Sequence, residues 1–298
     1  MTPLYMLAFD HRSSFSRDLL GIAGTPTPFE ARRVAVVKAV VYEGFRLALA
    51  DGVPHASAGL LVDEQYGAAI ARRARGEGVV LAMPVEKSGQ AEFEFEFGDH
   101  FWTHIEAFDP TYAKVLVRYN PEGDAELNRR QAQRLRELSA WLRRRGRKLL
   151  FELVVPAEPA QLERVGGSGE RYDLELRPGL VVDAVRELQD YGVEPHVWKI
   201  EGLDRREDCE RVAEQARSAG RDEVACIVLG RGADDAKVEH WLEQAAPVSG
   251  FVGFAVGRTL WWNELAAYVA DEIDRETAAR GIAHNYSRMV DAYRRWAA

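Results

Sequence analysis

Long hydrophobic runs are missing from this chain of 298 residues, and cysteines are scarce. No apolar stretch approaches the roughly 18 residues that a membrane-spanning helix needs. Two cysteines, Cys209 and Cys226, cannot build a disulfide framework or a cysteine-based zinc motif. Positive charge is short as well: 39 Lys and Arg against 47 Asp and Glu leave a net charge of −8. An acidic chain without a basic block is a poor partner for nucleic acid or an anionic membrane surface. The one dense basic run, Arg143, Arg144, Arg145, Arg147 and Lys148, ends an amphipathic helix and complements its dipole there. The apolar run Leu4–Phe9 has no basic leader and stops at Asp10, so it does not read as a signal peptide. A cytoplasmic protein is expected.

What is present is a recurring unit. Apolar runs lie at Leu4–Asp10, Ala58–Asp63, Val79–Val85, Ala113–Tyr119, Lys148–Val155, Pro195–Ile200, Ala225–Leu229 and Gly250–Val256. Most are continuous rather than alternating, as in strands buried on both faces. Amphipathic segments separate them, among them Pro28–Leu49, Ala125–Arg145, Val181–Tyr191, Arg205–Ala219 and Ala236–Gln244. Eight such strands predict an α/β fold, a (β/α)8 TIM barrel that forms a single domain over residues 1–298. A doubly wound sheet would want a glycine-rich fingerprint after the first strand, where this chain has Asp10-His11-Arg12. Glu92–Phe97 has a strict period of two, which alone predicts an edge strand; its place after strand three suggests an ordered loop with a helix from Gly98. Gly166–Asp173 is expected to be a surface loop, and Asn263–Ala298 one long helical segment.

Barrel active sites lie at the C-terminal ends of the strands. The polar residues there are Asp10, His11 and Arg12 on strand one, Asp63 and Glu64 on strand two, and Glu86 and Lys87 on strand three. Strand four carries Lys114, Arg118 and Asn120, strand five Glu152, and strand six Lys199 and Glu201. Gly230-Arg231-Gly232 ends strand seven and Gly257-Arg258 ends strand eight. Lys199 and Lys114 stand inside apolar runs, so each must be paired or neutral. A structural reading pairs them with Glu152 or Asp10. A functional reading makes one an amine nucleophile, favoured in its neutral form by burial and by the other lysine, that forms a Schiff base with a ketone. The Gly-Arg pairs on strands seven and eight stand where barrels bind phosphate, through backbone N–H groups and a charge clamp from Arg258.

These strand ends resemble the class I aldolase family of tagatose-1,6-bisphosphate aldolase. More closely, the chain resembles the 2-deoxy-5-keto-D-gluconate 6-phosphate aldolase-like domain. The segments that carry the resemblance are Leu7-Ala8-Phe9-Asp10-His11-Arg12, Leu61-Val62-Asp63-Glu64-Gln65-Tyr66-Gly67, Glu86-Lys87-Ser88-Gly89 and Lys114 to Pro121. They continue with Phe151-Glu152-Leu153, Val197-Trp198-Lys199-Ile200-Glu201, Gly253 to Trp262 and Asn285-Tyr286. The resemblance implies a lysine Schiff base on Lys199. Lys114, Glu152 and Asp10 would then position the carbonyl, move protons and bind hydroxyls, and Gly257 and Arg258 would grip phosphate. Arg12, Asp63, Lys87, Arg118, Gly230 and Arg231 complete the expected substrate-binding set. The implied reaction is cleavage or formation of a phosphorylated ketose. An example is 2-deoxy-5-keto-D-gluconate 6-phosphate giving dihydroxyacetone phosphate and malonate semialdehyde. The imine serves as electron sink, Glu152 takes the hydroxyl proton directly or through water, and no metal or other cofactor is expected.

Three alternatives remain. A transaldolase would use the same imine. A metal-dependent epimerase or class II aldolase would use Asp63, Glu64, Glu86 and His11, though such sites normally want two or three histidines at strand ends. A non-catalytic sugar-phosphate sensor would have no need of a buried amine. The expected partner is the phosphorylated ketose, with neither nucleic acid nor membrane. A homo-oligomer is left open, because Trp261, Trp262 and Trp296 could line an interface or fill the barrel's base.

Overall fold

Each apolar run becomes one parallel strand, since a continuous row of buried side chains serves both faces of a covered sheet. In the computed structural model, which describes residues 2–297, these are β1 (Leu4–Ala8), β2 (Ala58–Leu61), β3 (Val80–Pro84), β4 (Tyr112–Arg118), β5 (Lys148–Val154), β6 (Val197–Glu201), β7 (Ala225–Leu229) and β8 (Phe251–Val256). They close in sequence order into an all-parallel barrel, β8 pairing with β1. The helices are α1 (Pro28–Ala50), α2 (Glu64–Gly76), α3 (Phe101–Phe108), α4 (Ala125–Arg144), α5 (Pro159–Arg164), the single turn α6 (Gly169–Arg171), α7 (Arg177–Asp190), α8 (Arg206–Arg217), α9 (Asp235–Ala245), α10 (Arg258–Val269) and α11 (Arg275–Trp296). The fold is the (β/α)8 barrel that the sequence predicts.

Strand alternation sorts the side chains into two cores. Tyr5, Leu7 and Phe9 of the first strand and its continuation face the helices, with Leu60, Val115, Phe151 and Trp198. Met6, Ala8, Leu61, Ala82, Leu150, Val197 and Ile227 face the barrel axis and fill it. Two residues further on, the same inward rows deliver Asp10, Glu152 and Lys199. The lower barrel is therefore apolar and its upper end charged.

Helix starts follow local chemistry. Thr27 and Glu30 form a reciprocal capping box on α1, with Pro28 in its first turn. Asp124 caps α4 and Asp274 caps α11. The start of α10 differs, because its cap is Gly257 and no side chain answers its first N–H groups. A Cβ on Gly257 would collide with the Ala8 carbonyl oxygen, so only glycine lets this turn lie against β1.

Two regions depart from expectation, and a third follows it. The segment from Asn263 is two helices, broken where Asp271 turns into the left-handed region (φ 58°) and Asp274 starts α11; Ala298 lies outside the described residues. The helical turns after strand three begin at Gly98, and residues 92–97 form the ordered loop expected before them, not the edge strand that their period of two alone predicts. They fold back in the β3–α3 loop, with one antiparallel bridge between Glu86 and Phe95. The period of two arises because Phe93 is buried while Glu92 meets Arg130 and Arg134 at 2.8 and 2.7 Å. Residues 166–173 hold α6 and the start of a wide, π-type helical turn, Tyr172–Leu176, whose Tyr172 hydroxyl donates to the Val155 carbonyl at 3.0 Å. Trp261 does not fill the base: it is fully buried beside the upper end of β1, where its indole N–H donates to the Ala8 carbonyl at 3.0 Å. Trp296 is 39% exposed. Among the described residues no helix is long and apolar enough to cross a membrane.

Candidate active site

The strand register sets the site. Glu152 on β5 is paired in register with Lys199 on β6, and the Lys199 ammonium lies 3.0 Å from its Oε1. Its other oxygen, Oε2, lies 2.9 Å from Lys114 Nζ. Lys114 also meets Asp10 Oδ2 at 3.0 Å and Glu86 Oε1 at 2.7 Å. Lys114 and Lys199 are 1% and 3% exposed, so this is a buried cluster of two lysines and three carboxylates. Buried charges persist only when paired, and here each lysine is.

The electrostatics separate the members. Burial disfavours the Lys114 ammonium, but Asp10, Glu152 and Glu86 outweigh it and hold Lys114 well above the ordinary lysine range. Burial raises the Asp10 and Glu152 carboxyls, and the nearby lysines more than reverse this, so both sit below the usual carboxylate range. For Glu86 burial wins, helped by the charge of Asp10, and its carboxyl is pushed up. Burial also pulls His11 down to about 4, against the attraction of Asp10. His11 is thus a neutral imidazole near pH 7.

A cavity of about 480 Å³ opens over this cluster, within the size range of small-molecule sites. Asp10, Arg12, Lys87, Lys114, Arg118, Glu152, Lys199, Gly230, Arg231, Gly257 and Arg258 all line it. Their roles differ. Arg12 is committed to Glu96 and to the Glu86 carbonyl, so it braces the β3–α3 loop. Lys87 is half exposed, 3.9 Å from Glu94. Arg118 donates to the Gln90 carbonyl at 2.9 Å. Arg231 takes a left-handed backbone (φ 52°) and spends its guanidinium on Asp173 at 2.6 Å and Glu201 at 3.0 Å. Arg258 pairs with no carboxylate among the described residues; its guanidinium lies where a Cβ on Gly232 would be. A free guanidinium at the uncapped start of α10 can hold an anion.

Asp63 is the expected residue that does not reach the cavity. Strand β2 ends at Leu61, and Asp63 turns away to cap α2, accepting from the Tyr66 N–H at 2.9 Å. Its other oxygen meets Lys38 of α1 in an ion pair with no exposure on either side. Lys38 also donates to the Phe9 carbonyl at 2.7 Å, bracing the strand end that carries Asp10. Sequence reasoning passed over Lys38, though its place on the apolar stripe of Val34, Val37 and Val41 was the available signal. It also left Glu86 out of the substrate-binding set, where only its position after strand three pointed inward. Among the described residues no group of three His, Cys, Asp or Glu is arranged to hold a metal; the carboxylates converge on the Lys114 ammonium instead.

Comparison with known proteins gives the fold independent support. Cgl0159 from Corynebacterium glutamicum aligns with a TM-score of 0.59 at 17% identity, over 95% of this chain and 86% of that one. An archaeal fructose 1,6-bisphosphate aldolase aligns with a TM-score of 0.55 at 14% identity, over 96% and 94%. At such identities the likeness concerns the barrel alone. No curated protein matches the sequence. A family model described as an uncharacterized protein conserved in bacteria (DUF2090) matches residues 1–297, and the chain belongs to that family.

Proposed function

We propose that the protein is a class I aldolase that cleaves or forms a phosphorylated ketose through a Schiff base on Lys199. The observation that carries this reading is the contact of Lys199 with Glu152 at 3.0 Å, inside a cavity where a second lysine is held charged by three carboxylates. Lys114 supplies a fixed positive charge, and Glu152 lies between the two amines. Glu152 accepts a proton from Lys199, and the neutral amine attacks the ketone. The carbinolamine loses water to give a protonated imine, which draws electrons from the neighbouring carbon–carbon bond. Cleavage releases an aldehyde and leaves an enamine. Protonation and hydrolysis then return the ketone and free Lys199. Arg258 and the start of α10 would hold the phosphate. The archaeal neighbour is a fructose 1,6-bisphosphate aldolase, and this reaction class agrees with the reading.

The test is a panel of fructose 1,6-bisphosphate, tagatose 1,6-bisphosphate and 2-deoxy-5-keto-D-gluconate 6-phosphate, each assayed for release of triose phosphate with and without chelator. Cleavage of at least one, unchanged by chelation, is expected. No cleavage of any, or activity lost to chelator and restored by zinc, would contradict the reading.

A further inference from the structure

Cleavage needs a group that takes the hydroxyl proton of the carbon that becomes the aldehyde. The carboxylates that line the cavity are mostly committed. Both oxygens of Glu152 face lysines, Asp10 Oδ2 faces Lys114, and Glu201 is held by Arg231 and by the Val155 N–H. Glu86 has one oxygen on Lys114, and the other is enclosed without a partner. His11 differs from all of these. Its ring stands edge-on against Trp261, 5.8 Å between centroids, and about a third of the side chain (35%) is open where it lines the cavity. Its Nδ1 is enclosed, without a hydrogen-bond partner among the described residues, and lies 3.9 Å from Asp10 Oδ1. The orphan nitrogen therefore faces the one Asp10 oxygen that Lys114 does not hold.

We infer that Asp10 and His11 form a dyad in which His11 Nε2 is the proton carrier for carbon–carbon cleavage. This rests on the Schiff-base reading of Lys199 and extends it. A small rotation of the ring brings Nδ1–H onto Asp10 Oδ1, which fixes the tautomer with a bare Nε2 on the cavity side. Nε2 takes the hydroxyl proton, and the O–H electron pair becomes the new carbonyl bond. The carbon–carbon pair moves into the imine, whose C=N pair settles on the Lys199 nitrogen. The imidazolium then gives the same proton to the enamine carbon, so no outside acid or base is consumed. Glu152 keeps the proton traffic of Lys199. The charged groups around the ring are Asp10, Glu152, Lys199 and Lys38; the two carboxylates favour the imidazolium formed in the step and the two lysines oppose it, so the proton is held only briefly before it passes to the enamine carbon.

The experiment uses the full chain and the ketose phosphate of the panel that it cleaves fastest. His11→Ala is expected to trap the ketose on a lysine with borohydride as the wild type does. Its cleavage rate should fall by about 10²–10⁴-fold, the usual worth of a positioned acid–base group. Added imidazole should restore part of that rate. Cleavage above a tenth of the wild-type rate, loss of trapping together with cleavage, or no restoration by imidazole would overturn the assignment. If the wild type itself forms no adduct, the fault lies in the Schiff-base reading and not in His11.

Discussion

The lower and upper halves of the barrel interior are built by the same strands and obey opposite rules. Below, Met6, Leu61, Ala82, Leu150, Val197 and Ile227 pack with Leu4, Ala225 and Ala255 into one apolar cluster. Above, two residues along the same inward rows, Asp10, Glu152 and Lys199 join Lys114 and Glu86 in a charged cluster. The lower layer is stabilised by burial, at about 25 cal/mol for each Å² of apolar surface removed from water. The upper layer costs desolvation and holds only because each charge has partners. The lower half can trade one apolar side chain for another of similar volume at small cost. The upper half cannot lose one member without stranding the others.

Removing the central cation should break the comparison most sharply. Lys114→Met leaves three carboxylates facing one lysine, and losing a partner from a buried ion pair costs about 3–5 kcal/mol. Denaturant unfolding should show that loss, together with slow turnover that still traps at Lys199. Leu150→Ala, its neighbour in register on β5, should cost a similar ~2–5 kcal/mol of stability. There the turnover per folded molecule should hardly change. A large fall in kcat for Leu150→Ala would erase the distinction between the halves.

At the rim of the upper half, where Arg258 is exposed, Arg258→Ala should lower kcat/KM for a phosphorylated ketose, and the loss should shrink as salt is added. It should leave the unphosphorylated sugar nearly untouched. Equal losses on both substrates would remove Arg258 from phosphate binding.

A smaller effect should appear in the dependence of stability on pH. Asp10, Glu152 and His11 are all lowered in the folded chain. As pH falls, the unfolded chain takes up these protons first, so their contribution is present above the ordinary values and is lost on the acid side. For His11 the loss begins below about 6.5 and runs to about 4. Glu86 has the opposite sign: it is raised, so its contribution is present in acid and lost as pH rises through its folded value. Asp10 and Glu152 lose their contribution mainly below their ordinary values of about 4, so between pH 7 and pH 4 His11 is the member of the cluster that lowers the Tm and Glu86 opposes it, and His11→Asn should drop less than the wild type over the same interval. An equal drop in both proteins would mean that His11 titrates alike folded and unfolded.

The barrel was legible because parallel strands buried on both sides write continuous apolar runs, and β7 falls on the predicted Ala225–Leu229. Lys199 and Lys114 were legible for the converse reason, as charges inside such runs. What was not legible depends on where a strand stops. Asp63 looks like any strand-end carboxylate until β2 ends at Leu61 and the residue turns to cap α2. Arg231 reads as a phosphate ligand until Asp173 and Glu201, 58 and 30 positions away in the chain, claim its guanidinium. Glu92–Phe97 carries a strand's alternation because Phe93 must be buried under the loop, whatever the backbone does. Such partners come from distant segments, and no local pattern announces them.

The account stands on Lys199 as the covalent nucleophile. Incubation with the cleaved ketose phosphate and borohydride, followed by peptide mass analysis, reads this directly. One irreversible adduct on the peptide containing Lys199 is predicted, absent in Lys199→Ala along with activity, and still present in Lys114→Met. An adduct on Lys114, or substantial turnover by Lys199→Ala, would contradict the account.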